Sequence, residues 1–111
     1  MNWNKLTQST QLQDIKAISE DTPVLIFKHS TRCSISSMAL DRLVRKWQAG
    51  DQEKIKPYFL DLIADRSLSD AVAREFGVAH QSPQVLVIKD GKVQYEASHY
   101  SISYADIMKL L

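Results

Sequence analysis

Cysteine is almost absent from this sequence, with only one among 111 residues. A single cysteine cannot form an internal disulfide, so no disulfide framework holds the fold together. One cysteine also excludes a four-cysteine zinc site. The three histidines, His29, His80 and His99, are scattered along the chain without the spacing of a metal-binding motif. The sequence therefore predicts no metal site.

Glycine and proline are also scarce, and the net charge is close to zero. Three glycines and three prolines are too few for a collagen-like or low-complexity chain. Hydrophobic residues make up 44% and charged residues 24%, which is typical of a soluble globular protein, and the length predicts one domain over residues 1–111. Fourteen Lys and Arg against thirteen Asp and Glu leave a net charge of +1. This balance predicts neither nucleic-acid binding nor attraction to an anionic membrane.

Long hydrophobic runs are missing as well. The longest, such as residues 24–27 and 85–88, are far too short to cross a bilayer. Residues 1–5 lack the apolar segment of a signal peptide. We therefore expect a cytoplasmic protein whose thiol is kept reduced, without a membrane partner.

Helical and strand-like patterns alternate along the chain. Four apolar runs predict strands, at residues 24–28, 58–62, 84–89 and 92–97, and an Asp-Gly pair at 90–91 predicts a hairpin between the last two. Apolar spacing predicts helices before the first strand, after each of the first two strands, and at the end of the chain. This order predicts an α/β protein with a central mixed four-stranded sheet flanked by helices on both faces. It is the order of the thioredoxin fold.

Cys33 follows the first predicted strand and precedes the longest helical pattern. The free N–H groups and the positive dipole end of a helix N-terminus favour the thiolate form of a cysteine placed there. Arg32 adds a positive charge beside it, and Ser30, Thr31 and Ser34 are candidate helix caps. Since the thiolate is the attacking species in thiol–disulfide exchange, Cys33 is the candidate nucleophile. The alternative, a buried inert cysteine, is disfavoured by the polar residues around it.

Ser36 stands where a Cys-x-x-Cys motif has its second thiol. A dithiol mechanism within this chain is therefore excluded, and monothiol exchange remains. Ser36 is predicted to cap the helix or face solvent, with a hydrogen bond to the sulfur of Cys33 as the alternative. His29 is predicted either to lie near that sulfur or to bond to the backbone or water.

Ser82-Pro83 precedes the third predicted strand, where a proline removes no ladder hydrogen bond. The residues alone leave the choice between a trans and a cis peptide bond open. A cis bond would free the backbone N–H and C=O of Ser82 to pair with an incoming chain.

Together these segments resemble a known family. Residues 27–36 (FKHSTRCSIS) are similar to the active-site segment of the YtxJ family, the monothiol bacilliredoxins of the bacillithiol system. Residues 82–92 (SPQVLVIKDGK) and 98–100 (SHY) also resemble that family. The family often has proline directly after the cysteine, where this chain has Ser34.

The resemblance implies a thioredoxin-like fold, with Pro83 as a cis-proline facing Cys33. It implies an enzyme that removes bacillithiol from mixed disulfides of S-thiolated proteins. Cys33 carries over as the nucleophile and Ser36 as the residue in the resolving position, and we expect Arg32, Ser34, Ser82 and Pro83 to bind substrate. Bacillithiol is then a co-substrate, with no tightly bound cofactor, and glutathione and coenzyme A are the alternative thiols. The protein is expected to be a monomer.

Two other functions stay open at this point. A monothiol cysteine at a helix N-terminus can hold an iron–sulfur cluster between two subunits, with external thiols completing the ligand set. A redox-inert adaptor that uses only the peptide groove of the fold is the second alternative.

Overall fold

A five-stranded mixed sheet forms the centre of the molecule in a computed structural model that describes residues 1–111. The strands lie in the order β1-β3-β2-β4-β5, with β1 and β2 parallel to β3, β4 antiparallel to β2, and β5 antiparallel to β4. Their bounds are Asn4–Lys5 (β1), Val24–His29 (β2), Lys56–Asp61 (β3), Gln84–Lys89 (β4) and Lys92–Ser98 (β5).

Five α-helices and one 3-10 turn complete the fold. The helices are Gln11–Ile18 (α1), Ser34–Lys46 (α2), Asp51–Lys54 (α3), Arg66–Phe76 (α4) and Tyr104–Met108 (α5), and the 3-10 turn is His99–Ser101. Helix α4 ends at Gly77, which adopts the left-handed conformation with φ of 67° that favours glycine. The predicted hairpin turn is confirmed, since Asp90 and Gly91 both have positive φ angles.

The predicted thioredoxin-like architecture is confirmed, but the predicted strand count of four is one too low. The missing strand, β1, has two residues and pairs with Tyr58 and Phe59 at the edge of the sheet. A strand of two residues is too short to produce an alternating pattern in the sequence.

Two apolar cores cover the two faces of the sheet, and the central strand β2 contributes to both. Val24 and Ile26 point into the core shared with α1 and α4, whereas Leu25 and Phe27 point into the core shared with α2 and α5. Since successive strand residues face opposite sides, the part of β2 that lies between the two cores, residues 24–27, is apolar throughout. The carboxyl ends of β2 and β3 meet at one edge, and the loops that leave them carry the site described next.

Candidate active site

Cys33 is the N-cap residue of α2, and its side chain is partly exposed. Its backbone is extended (φ −112°, ψ 117°), and its carbonyl oxygen accepts the N–H of Ser37 at 3.1 Å. The N–H groups of residues 34–36 have no acceptor within the chain. The cysteine is thus placed at the N-terminus of a 13-residue helix, next to three backbone N–H donors that have no acceptor.

Ser36 is fully buried beneath the loop that carries Cys33. Its Oγ accepts the backbone N–H of Ser30 at 3.0 Å and lies 2.7 Å from Nδ1 of His29. This differs from the capping or solvent-facing serine that the sequence predicts, and the sulfur of Cys33 is not among its partners. The hydroxyl instead fastens the first turn of α2 to the end of β2. The sequence pattern could not show this, because Ser36 and its two partners come together only when the loop folds back.

His29 is the last residue of β2 and is also buried. Burial lowers the pKa of this imidazole, and the negative charge of Asp61 opposes part of that effect. His29 is therefore neutral at pH 7. Its side-chain partner in the structure is the hydroxyl of Ser36. Neither alternative predicted from the sequence, a place near the sulfur of Cys33 or a bond to the backbone or water, included this partner.

An open groove of about 470 Å³ lies beside Cys33. Arg32 borders it from the cysteine loop, Arg66 from the start of α4, and His80 and Ser82 from the loop before β4. Leu62 and Ile63 form its apolar part, and Ser30 completes the lining. The groove therefore brings together three of the predicted site residues, Arg32, Cys33 and Ser82.

The Ser82–Pro83 peptide bond is cis. The backbone N–H and C=O of Ser82 have no hydrogen-bond partner within the chain, and its Oγ is buried without one. The carbonyl of Pro83 accepts the N–H of His99 at 3.0 Å. Ser82 thus carries a backbone N–H and C=O that are unpaired within the chain, besides a buried hydroxyl without a partner.

A buried polar cluster lies behind the groove, on the face of the sheet that packs against α4. Lys28 is completely buried there, and its Nζ lies 3.4 Å from Nδ1 of His80. Nδ1 of His80 also lies 3.0 Å from Oγ of Ser69. Burial lowers the pKa of Lys28 to about 8, against the opposing attraction of Asp70. Burial, with the neighbouring charge of Lys28, also lowers the pKa of His80.

Not all of the predicted residues reach the groove. Ser34 is the exposed first residue of α2, Ser36 is buried below it, and Pro83 is buried at the start of β4, so none of the three lines it. Arg66 and His80 line it but were not predicted. For Arg66 a signal existed: it follows the carboxyl end of β3, and ligands of parallel sheets bind at such ends.

No group of three or more His, Cys, Asp or Glu side chains is placed to hold a metal ion. None of the helices combines the length and apolar character needed to span a bilayer.

Comparison with known proteins gives a family and a fold. The model of the family described as "Monothiol bacilliredoxin BrxC" matches residues 4–107. A solved protein described as having a thioredoxin fold is 28% identical, with a TM-score of 0.77 over 95% of this chain and 89% of that one. Thioredoxin from Malassezia sympodialis is 17% identical, with a TM-score of 0.69 over 98% of this chain and 87% of that one. Thioredoxin f from spinach chloroplast is 14% identical, with a TM-score of 0.70 over 98% and 83%. The last two similarities show the fold alone.

Proposed function

This chain belongs to the monothiol bacilliredoxin family, and from that premise we propose that it removes bacillithiol, or a similar low-molecular-weight thiol, from mixed disulfides on proteins. The family and the fold make it a thiol oxidoreductase. The observation that carries the finer proposal is the position of Cys33, at three free N–H groups of α2 and at the wall of an open groove.

The reaction proceeds by two thiol–disulfide exchanges. The thiolate of Cys33 attacks the sulfur of the small thiol, the bond between that sulfur and the protein substrate breaks, and the protein leaves as a thiolate that takes a proton from water. A second molecule of the small thiol then attacks the sulfur held on Cys33. The products are the disulfide of two small thiols and the regenerated Cys33 thiolate. The external thiol supplies the electrons, because the chain has no second cysteine.

The other residues act around this sulfur. Ser36 occupies the position of a resolving cysteine and holds the loop of Cys33 through its bonds to His29 and Ser30. Ser82 offers its unpaired backbone N–H and C=O to the bound substrate. Pro83 follows it in the chain, through a cis peptide bond. Arg32 borders the groove, and the backbone N–H of Ser34, the residue after Cys33, has no acceptor within the chain.

The proposal places the protein in the cytoplasm, as a monomer of one domain without a tightly bound cofactor. Its partners are S-thiolated proteins and the small thiol. Bacillithiol follows from the family, and glutathione and coenzyme A are the alternatives to it.

Cys33→Ser tests the proposal directly. A model protein carrying one mixed disulfide is incubated with the enzyme and free bacillithiol, and release of its thiol is followed by intact mass. We expect Cys33→Ser to release no more than the uncatalysed background, and wild-type protein alkylated at Cys33 to match it. Release by the variant at the wild-type rate would refute the role of Cys33.

A further inference from the structure

The groove beside Cys33 carries positive charge without a counter-ion from the protein. Arg32 and Arg66 both line it, and no carboxylate does. The ion pairs of the chain lie elsewhere: Lys16–Glu75, Arg45–Asp41 and Lys109–Asp106. Both guanidinium groups are therefore free to bind an anion, and arginine is the side chain best suited to a planar carboxylate.

His80 adds a further donor to the same groove. Its Nδ1 lies 3.0 Å from the hydroxyl of Ser69 and 3.4 Å from the ammonium of Lys28, and an ammonium can only donate. Nδ1 is then the acceptor of a neutral ring, and the proton sits on Nε2. Asp70 acts electrostatically on both Lys28 and His80, but it does not line the groove.

Ser82 contributes a hydroxyl that is buried and unpartnered within the protein. Buried polar groups are nearly always hydrogen-bonded in native structures, so an unpartnered hydroxyl on a residue that lines the groove marks an unfilled hydrogen-bonding position beside it. The polar side chains of Arg32, Arg66, His80 and Ser82 therefore all have a proton to donate. A set of donors with two positive charges matches a ligand rich in acceptor oxygens.

We propose that this groove binds the carboxylates of the small thiol, with Arg66 and Arg32 as specificity residues for thiols that carry negative charge. The inference rests on the proposed reaction of Cys33 and adds the residues that select the small thiol by its charge. The groove volume of about 470 Å³ lies in the range of pockets that bind small molecules. Because the cationic groups border the same groove as Cys33, they select the sulfur that Cys33 attacks.

The test compares substrates whose small thiol is negatively charged, neutral or positively charged. A model protein is prepared as its mixed disulfide with glutathione (two carboxylates), 2-mercaptoethanol (neutral) or cysteamine (positive). We expect Arg66→Gln to lower kcat/KM about tenfold for the glutathione substrate, as loss of one charge-assisted contact implies. It should leave 2-mercaptoethanol unchanged and leave cysteamine unchanged or faster. Arg74→Gln is the matched control, since Arg74 is exposed on the same helix and does not line the groove.

A second measurement does not depend on turnover of a protein substrate. The rate at which Cys33 forms a mixed disulfide is followed by intact mass with glutathione disulfide and with cystamine. Wild-type protein should prefer the anionic disulfide, and Arg66→Gln should lose most of that preference. Equal loss for all thiols, or no difference from Arg74→Gln, would overturn the inference while leaving the proposed function intact. If wild-type protein releases no thiol from the model protein but still prefers the anionic disulfide, the proposed function is overturned and this inference stands.

Discussion

Lys28 is a completely buried lysine, and its replacement gives a prediction of how the free energy of unfolding depends on pH. Its side chain is 0% exposed, and burial lowers its pKa from 10.5 to about 8. Each tenfold change in acidity corresponds to about 1.4 kcal/mol, so holding the charged form inside the folded protein costs on the order of 3 kcal/mol. Lys28→Met fills nearly the same volume without charge. We expect it to raise the free energy of unfolding at pH 7 by about 2 to 3 kcal/mol.

The gain should disappear at high pH. Between pH 8 and 10.5 the unfolded chain still holds the proton on Lys28 whereas the folded chain has released it, so the stability contributed by this residue in the wild type rises with pH. The difference between Lys28→Met and wild type should therefore shrink across that range. Urea unfolding at pH 7, 9 and 10.5 measures it, with Lys92→Met as the control at an exposed lysine of β5. A Lys28→Met variant that is destabilised at pH 7, or a constant difference at all three pH values, would refute the reasoning.

Two further outcomes are expected at the end of β2. Ser36→Ala leaves the buried N–H of Ser30 and Nδ1 of His29 without their partner, so it should lower the free energy of unfolding by about 1 to 3 kcal/mol. Ser37→Ala, at the exposed neighbour, should stay within about 0.5 kcal/mol of wild type; equal effects in thermal unfolding would contradict this. Because the pKa of His29 lies below 6.5 in the folded protein, the unfolded chain binds its proton first, and stability should fall as the pH drops below 6.5. Urea unfolding at pH 7.5 and 5.5 should show a smaller loss for His29→Asn, and an undiminished loss would argue against burial as the cause.

The sequence predicted the main elements because their signals are local. The apolar runs of β2 and β4 and the Asp90-Gly91 turn each depend on residues adjacent in the chain. The position of Cys33 at the start of α2 was equally visible, since it needs only a strand followed by a helix. Strand β1 was not predicted, because two residues carry no periodicity and its pairing with β3 joins segments more than 50 residues apart.

The surroundings of the sulfur were far less predictable. Residues 29, 30 and 36 form one hydrogen-bonded unit only after α2 packs against the end of β2. Arg66 reaches the groove from a helix 33 residues after Cys33, and His80 from a loop further on. The burial of Lys28 was also hidden, because a lysine at the end of a strand ordinarily faces water.

The sequence by itself determined the limits of the chemistry: one thiol per chain, at a helix N-terminus, with serine in place of a second thiol. These follow from residue identity and from spacing within one helical turn, and no folding can change them. Only the tertiary structure decided what surrounds that sulfur: a cis Ser82–Pro83 bond, an unpartnered hydroxyl and two free arginines around one groove. Those groups come from two separate loops and from the first residue of α4, and their relative positions depend on the packing of the sheet and helices between them.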